Sequence, residues 1–185
     1  MVETCDCIIP AAGRSQRMGK WKPVLPFGAS KIVETVVAAA LRACSRVLLV
    51  TGYRGAELAS LFQGQTRVVA VENRDWQQGM FSSIRHGVAR VSTSRFFVTL
   101  GDMPWITDDV YAALLAQDEA DVIFPVYSGA RGHPVLFHKR VRAAVIAADP
   151  VRGSMREIAR SFRVSEMSWP DDSVLRDIDT ESDLG

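Results

Sequence analysis

The chain has 185 residues, 48% hydrophobic and 23% charged, which suits one soluble globular domain with a full core. Its formal net charge of +1 gives no electrostatic basis for nucleic acid or an anionic membrane as the main partner. Three cysteines cannot make a disulfide framework, and the C-x-C pair Cys5 and Cys7 is not C-x-x-C; they read as small buried hydrophobes of a reducing, cytoplasmic protein. "MVETCDC" lacks the basic start of a signal peptide, and no apolar run approaches the ~20 residues of a membrane helix.

Short apolar runs alternate with helical patterns. Strands are predicted over Cys5–Pro10, Arg46–Thr51, Arg67–Val71, Arg95–Leu100 and Val122–Pro125. Helices are predicted over Ile32–Cys44, Ala56–Phe62, Met80–Val91 and Asp108–Leu115, the first rich in Ala and suited to close packing on a sheet. Thr107 is the expected N-cap of the last, with Asp108 and Asp109 in its first turn. After Pro125 come a turn and strand in "GARGHPVLF", helices in "HKRVRAAVIAA" and "GSMREIARSF", and a short strand with an acidic turn in "VLRDIDTESDL". With no repeat or linker, residues 1–185 read as a single α/β domain. It should be three-layered and Rossmann-like, with a mostly parallel central sheet and helices on both faces.

In such sheets ligands sit beyond the carboxyl ends of the strands. Three stretches fall there, the basic loop after the first strand, "ENRDWQQGMFSS" after the third and "GDMP" after the fourth, and a later acidic stretch adds carboxylates. "IIPAAGRSQRMGKWKPVLPFG" runs from an apolar strand into a loop carrying Arg14, Arg17, Lys20 and Lys22, a pattern that holds phosphate on backbone N–H groups and cations. It is neither a P-loop nor a dinucleotide fingerprint: five residues separate Gly13 from Gly19, Trp21 follows Lys20, and Ser15 occupies the second glycine position. "LGDMPWI" sets Asp102 at a strand end, where a carboxylate can take Mg²⁺, an ion content with one or two protein carboxylates. "RDIDTESDL" offers Asp177 and Asp179, two apart and so on one side of a strand; Asp179 or Thr180 could equally cap a helix. "NRDWQQGMFSSIRHG" supplies Asn73, Gly79, Ser82 and Ser83, able to read a base edge or simply to form a turn and cap. His86, His133 and His138 are isolated and no G-x-S-x-G exists, which leaves zinc and hydrolase chemistry unsupported; His133, between Gly132 and Pro134, is placed to line a pocket.

"PAAGRSQRMGKWK" with "VLPFG", then "NRDWQQGMFSSIRHGV", "TLGDMP", "RGHPVLF" and "DIDTESDL", together resemble the molybdenum cofactor cytidylyltransferases, in order from residue 8 to residue 184. The resemblance implies a nucleotidyltransferase fold and Mg²⁺-dependent transfer of CMP from CTP to molybdopterin, releasing pyrophosphate. The product is the cytosine dinucleotide cofactor of xanthine-dehydrogenase-like enzymes, a possible protein partner. Matched motif by motif, Ala11, Ala12, Gly13, Arg14, Ser15 and Gly19 would wrap the triphosphate, with Arg17 on its outer phosphates. Lys22 would lie near the α-phosphate and the incoming phosphate. Asp102 and Asp179 would hold the metal, Ser83 with Gly79 and Asn73 the base, and Arg131, Gly132 and His133 the pterin. Related guanylyl transferases read L-A-G-G in the loop; Ala12 points to the cytidylyl branch. Alternatives are a GTP- or sugar-phosphate-using enzyme of the same fold, a non-catalytic carrier for molybdenum hydroxylases, and an NAD-dependent oxidoreductase, the last disfavoured by the missing fingerprint.

Overall fold

The computed structural model describes residues 4–15, 19–117 and 120–184. In chain order its elements are β1 (Asp6–Pro10), β2 (Pro26–Phe27), β3 (Ser30–Lys31), α1 (Ile32–Ala43), β4 (Arg46–Thr51), α2 (Gly55–Ser60), β5 (Val68–Glu72), α3 (Met80–Arg90), β6 (Arg95–Val98), α4 (Asp108–Leu115), β7 (Val122–Tyr127), β8 (Ala130–Arg131), β9 (Val135–His138), α5 (Arg142–Ala147), α6 (Met155–Ala159) and β10 (Val164–Ser168). The main sheet runs β10-β7-β9-β6-β1-β4-β5, with β8 paired to β7. β1 is parallel to β4 and β6, β4 to β5, and β7 to β10; β9 runs antiparallel between β6 and β7. Among the described residues no helix is long and apolar enough to cross a membrane.

Strand periodicity explains why helices cover both faces. Cys7 and Ile9 of β1, Val47 and Leu49 of β4, and Phe97 of β6 point into one core under α1, α2 and α4. Ile8, Leu48, Val50, Phe96 and Val98 point the other way, under α3, α5 and α6. A strand buried on both faces reads as a continuous apolar run, which is why these strands were legible. Cys5, Cys7 and Cys44 are buried thiols, as expected of small core hydrophobes.

Three local expectations change. Leu175–Thr180 forms no strand: a short 3-10 turn over Asp172–Val174 precedes it, and Ile178 N–H donates to the Asp102 carbonyl at 2.9 Å instead of to a ladder. Thr107 occupies the N-cap of α4 without a side-chain cap bond, and Asp108 pairs with Arg42 at 2.7 Å. The β2–β3 hairpin and β10 were not anticipated; strands this short or half-exposed carry little periodic signal.

At the amino ends of the strands, Asp6 is only 1% exposed. Its carboxylate accepts from Arg46 Nε at 2.9 Å and Nη2 at 2.8 Å, and from Ser92 N–H at 2.8 Å. Burial alone raises the Asp6 pKa, but the Arg46 and Ser92 bonds outweigh it and hold the carboxyl below its usual range. The clamp ties β1, β4 and the α3–β6 turn together. On the same face of β1, Gly87 lets α3 lie against Ile8: a Cβ there would stand 2.5 Å from Ile8 Cγ2.

Two outcomes follow from this packing. Asp6→Ala leaves Arg46 and the Ser92 N–H without their acceptor and should cost about 3 kcal/mol in urea unfolding. Because the folded-state pKa is depressed, the Asp6 contribution is complete above the ordinary carboxylate range and disappears as pH falls through the lowered value. The wild-type and Asp6→Ala stabilities should therefore converge below about pH 4. Gly87→Ala sets a helix-propensity gain of about 1 kcal/mol against overpacking of about 1–3 kcal/mol, so a lower melting temperature is expected.

Candidate active site

β1 pairs with β4 on one side and β6 on the other, so the chain reverses its direction of travel across the sheet there. Crevices open at such switch points, beyond the carboxyl ends of the strands. A cleft of about 780 Å³ lies there, reached by Pro10 at the end of β1 and by Leu100 and Asp102 beyond β6.

One wall is the basic loop. Ala11 N–H donates to Val50 O at 2.9 Å, and Tyr53 N–H donates to Ala12 O at 3.0 Å, so the loop leaves β1 anchored on β4 and its exit. Trp21 Nε1 donates to Gly13 O at 3.3 Å, and Lys22 N–H to Ser15 Oγ at 3.1 Å, with Ser15 in the left-handed region (φ +55°). These bonds use loop carbonyls and a side chain. Among the described residues no hydrogen bond takes the backbone N–H groups of Gly13 or Arg14, which are left as donors for an anion. Arg14 lies over Tyr53 and Trp76, its guanidinium carbon 5.3 Å and 4.9 Å from the ring centres.

The opposite wall is acidic. Lys22 Nζ stands 3.1 Å from Asp179 Oδ1 and 3.5 Å from Asp102 Oδ2, bridging two residues far apart in sequence. Asp177, anticipated from its spacing to Asp179 but not assigned a ligand role, also lines the cleft. Burial pushes the Asp102 carboxyl up, Lys22 pulls it down and Asp177 raises it again, with a net rise. The donor set is hard oxygen, and a cation, the Lys22 ammonium, already sits between Asp102 and Asp179. Among the described residues no group of three or more His, Cys, Asp or Glu could hold a metal. Two carboxylates completed by phosphate and water fit Mg²⁺ and would not fit zinc.

Gly79, Ser83, Trp76, Gln77 and Met80 close the third side. Gly79 is the N-cap of α3 with φ +106°, a conformation that disfavours any side chain. Asn73, expected to meet a ligand, is completely buried behind Ser83, and its amide donates to Ser82 Oγ and Ser83 Oγ. Ser82 and Ser83 lie within α3 and do not cap it. Of the loop residues, Ala12, Gly13, Arg14 and Ser15 line the cleft; Ala11 is buried beneath it, and Gly19 (φ +64°) is exposed but outside the lining. Ala12 is only 5% exposed, its methyl close to Gly52. Arg17 lies outside the described residues. The cleft roles of Trp76, Gln77, Met80 and Leu100 had no sequence signal beyond their nearness to Gly79 and Asp102.

Arg131, Gly132 and His133 line a second cavity of about 790 Å³, which shares Met80 and Leu100 with the cleft. Arg131 pairs with Glu166 at 2.7 Å and lies over Phe124. His133 Nδ1 stands 3.4 Å from Val98 O, and burial lowers its pKa, so the ring is neutral at pH 7.

A phosphate-type loop facing carboxylates at the switch point of a mostly parallel sheet defines the class: an α/β nucleotidyltransferase. Residues 7–166 match the MobA-like NTP transferase domain, and the chain belongs to that family. It is 36% identical over 179 residues to the molybdenum cofactor cytidylyltransferase of Escherichia coli K12, covering 97% of this chain and 93% of that protein. It is 26% identical over 132 residues to a probable molybdenum cofactor guanylyltransferase of Natranaerobius thermophilus, covering 70% and 63%. The crystal structure of Rv0371c from Mycobacterium tuberculosis H37Rv shares the fold with a TM-score of 0.81 at 23% identity, over 97% of this chain and 95% of that one.

The Lys22 bridge predicts a sharp contrast between neighbouring lysines. Lys22→Ala should lower the rate of pyrophosphate release by ~10³-fold, the scale of a cation that meets a transferring phosphoryl group, while Lys20→Ala changes it less than about threefold. Steady-state kinetics of the two variants check this.

Proposed function

We propose that this chain transfers CMP from CTP to the phosphate of molybdopterin and releases pyrophosphate, acting in the cytoplasm with Mg²⁺. The observation that carries the reading is Lys22 held between Asp102 and Asp179, facing the donor-rich Gly13–Arg14 turn across one cleft. The relative 36% identical over nearly the whole chain is a cytidylyltransferase, whereas the guanylyltransferase resemblance is weaker and shorter. That contrast favours CTP more than Ala12 does, because the Ala12 methyl is nearly buried and its crowding of a purine is worth about 1–3 kcal/mol.

The chemistry follows from positioning and charge. Gly13 and Arg14 N–H groups receive phosphate oxygens, and the Lys22 ammonium meets the α-phosphate. Arg17 is assigned to the outer phosphates on resemblance alone. Mg²⁺ held by Asp102 and Asp179, when bound, supplies further positive charge against the polyphosphate. Ser83 and Gly79 take the base. The pterin enters the cavity of Arg131, Gly132 and His133, whose boundary at Met80 and Leu100 opens on the same cleft. Its phosphate monoester, with a second pKa of about 6, is already largely dianionic at neutral pH, so attack at the α-phosphorus needs no general base. The neutral, buried His133 is consistent with that economy. The oxygen–phosphorus bond to the pterin forms as the bond to pyrophosphate breaks, and the developing charge is met by Lys22. The product would serve a xanthine-dehydrogenase-like molybdenum enzyme.

The test is pyrophosphate release with molybdopterin, Mg²⁺ and each of the four NTPs. Release with CTP alone is expected; release with GTP would transfer the reading to the guanylyl branch, and release with none would favour a carrier. Asp102→Ala should abolish release while its circular dichroism and melting stay near wild type, and full activity in that variant would remove Asp102 from the metal site.

A further inference from the structure

Asn73 is a fully buried carboxamide behind the cleft, and its bonding pattern is complete. Asp75 N–H donates to Asn73 Oδ1 at 3.0 Å, which identifies that atom as the oxygen, since a backbone N–H cannot donate to an amide nitrogen. The other end is therefore the NH₂ group, and its two hydrogens go to Ser82 Oγ at 3.1 Å and Ser83 Oγ at 3.0 Å. Each serine oxygen thus accepts from Asn73 and has its own hydrogen left to place. Ser82 places its hydrogen on Asp75 O at 3.5 Å. Among the described residues nothing takes the Ser83 hydroxyl hydrogen, and Ser83 lines the cleft beside Gly79.

We infer that Asn73 is a positioning residue for nucleotide selection: by donating to Ser83 Oγ it keeps the Ser83 hydrogen from turning inward and leaves it to be donated toward the cleft, to an acceptor on a pyrimidine base. A serine hydroxyl is normally free to donate or accept and so reads both kinds of base atom. Here one of the two lone pairs is occupied, by a donor that cannot rotate away because the Asn73 carboxamide is fully buried and bonded at both ends. Cytosine presents two adjacent acceptors, O2 and N3, to such a donor. The polarity of the site is set one layer behind the residue that touches the base. This inference rests on the proposed placement of the base at Ser83.

The experiment is a double-substitution cycle read by binding of Mg²⁺ complexes of CTP, GTP and inorganic tripolyphosphate. Asn73→Asp keeps the shape and the bond from Asp75, but it presents an acceptor to Ser83. The Ser83 hydrogen then turns inward and a lone pair faces the cleft. CTP affinity should fall roughly tenfold or more in Asn73→Asp and in Ser83→Ala, with little further loss in the double variant, while tripolyphosphate binding stays within about twofold. Losses that simply multiply in the double variant, or a parallel loss of tripolyphosphate binding, would show a structural role for Asn73 and overturn the inference. So would unchanged CTP affinity in Asn73→Asp. Should the buried carboxylate prevent folding, CTP analogues decide on the unaltered protein, with N3 replaced by CH in one and O2 by sulfur in another. At least one should bind more weakly than CTP to wild type and equally with CTP to Ser83→Ala; both binding wild type as CTP does would overturn the inference. A wild-type preference for GTP would instead refute the cytidylyl reading, and the same cycle run on GTP would still report whether Asn73 acts through Ser83.

Discussion

Strand β1 has hydrogen-bonded neighbours on both edges and a core on both faces, and everything else is arranged by that confinement. A strand so enclosed must be apolar along its whole length, and its chain can escape only at the ends. At the amino end the polar Asp6 is tolerated because Arg46 and Ser92 satisfy it. At the carboxyl end the backbone leaves between strands that diverge to opposite sides of the sheet, and the space between them is the cleft. The basic loop begins at Ala11, whose N–H still bonds the Val50 carbonyl of β4.

Into that space the fold brings segments from both ends of the chain. Lys22 follows the first strand, Asp102 the β6 strand, and Asp179 stands near the carboxyl terminus; their contact closes the site. The last segment is anchored by backbone bonds from Ile178 N–H to the Asp102 carbonyl and from His133 N–H to the Val174 carbonyl, which explains why it aligns with the site without joining the sheet. Such an assembly concentrates charge of both signs in one place. Under the proposed function the acidic side would meet a cation and the basic side a polyanion, the separation a nucleotide–metal complex requires.

The third wall works differently. It is built from a helix whose first turn carries Ser83 on its cleft side, while Asn73 reaches it from the end of β5. Gly79 permits the tight entry into that helix, so the side chains of the first turn stand close to the cleft. The parts proposed to bind phosphate and to read the base therefore rest on separate supports, a loop tethered to β4 and a helix packed on β1.

Much of this was legible from residue order. Apolar runs of four to six residues separated by amphipathic ones predicted the alternating fold, because a strand buried on both faces leaves that mark regardless of its neighbours. The basic loop stood out by its four cations after an apolar run and Asp102 by its place at a strand end, whereas Asp179 could also be read as a helix cap and took its metal role from the family resemblance. The hairpin of Pro26–Lys31 and the β10 strand did not, since two-residue or half-exposed strands lack a periodic signal. The segment around Asp177–Asp179 looked like a strand, yet its backbone found a loop carbonyl as partner, a choice made by tertiary contact. The same holds for Asn73: its residue type allowed it to face a ligand, but only the burial of its carboxamide against Asp75, Ser82 and Ser83 placed it behind the site. What the amino-acid order determined by itself was periodicity and the local chemistry of each stretch; which distant side chains meet, and which hydrogen each donates, was decided by packing in three dimensions, because those bonds join residues whose separation along the chain carries no signal.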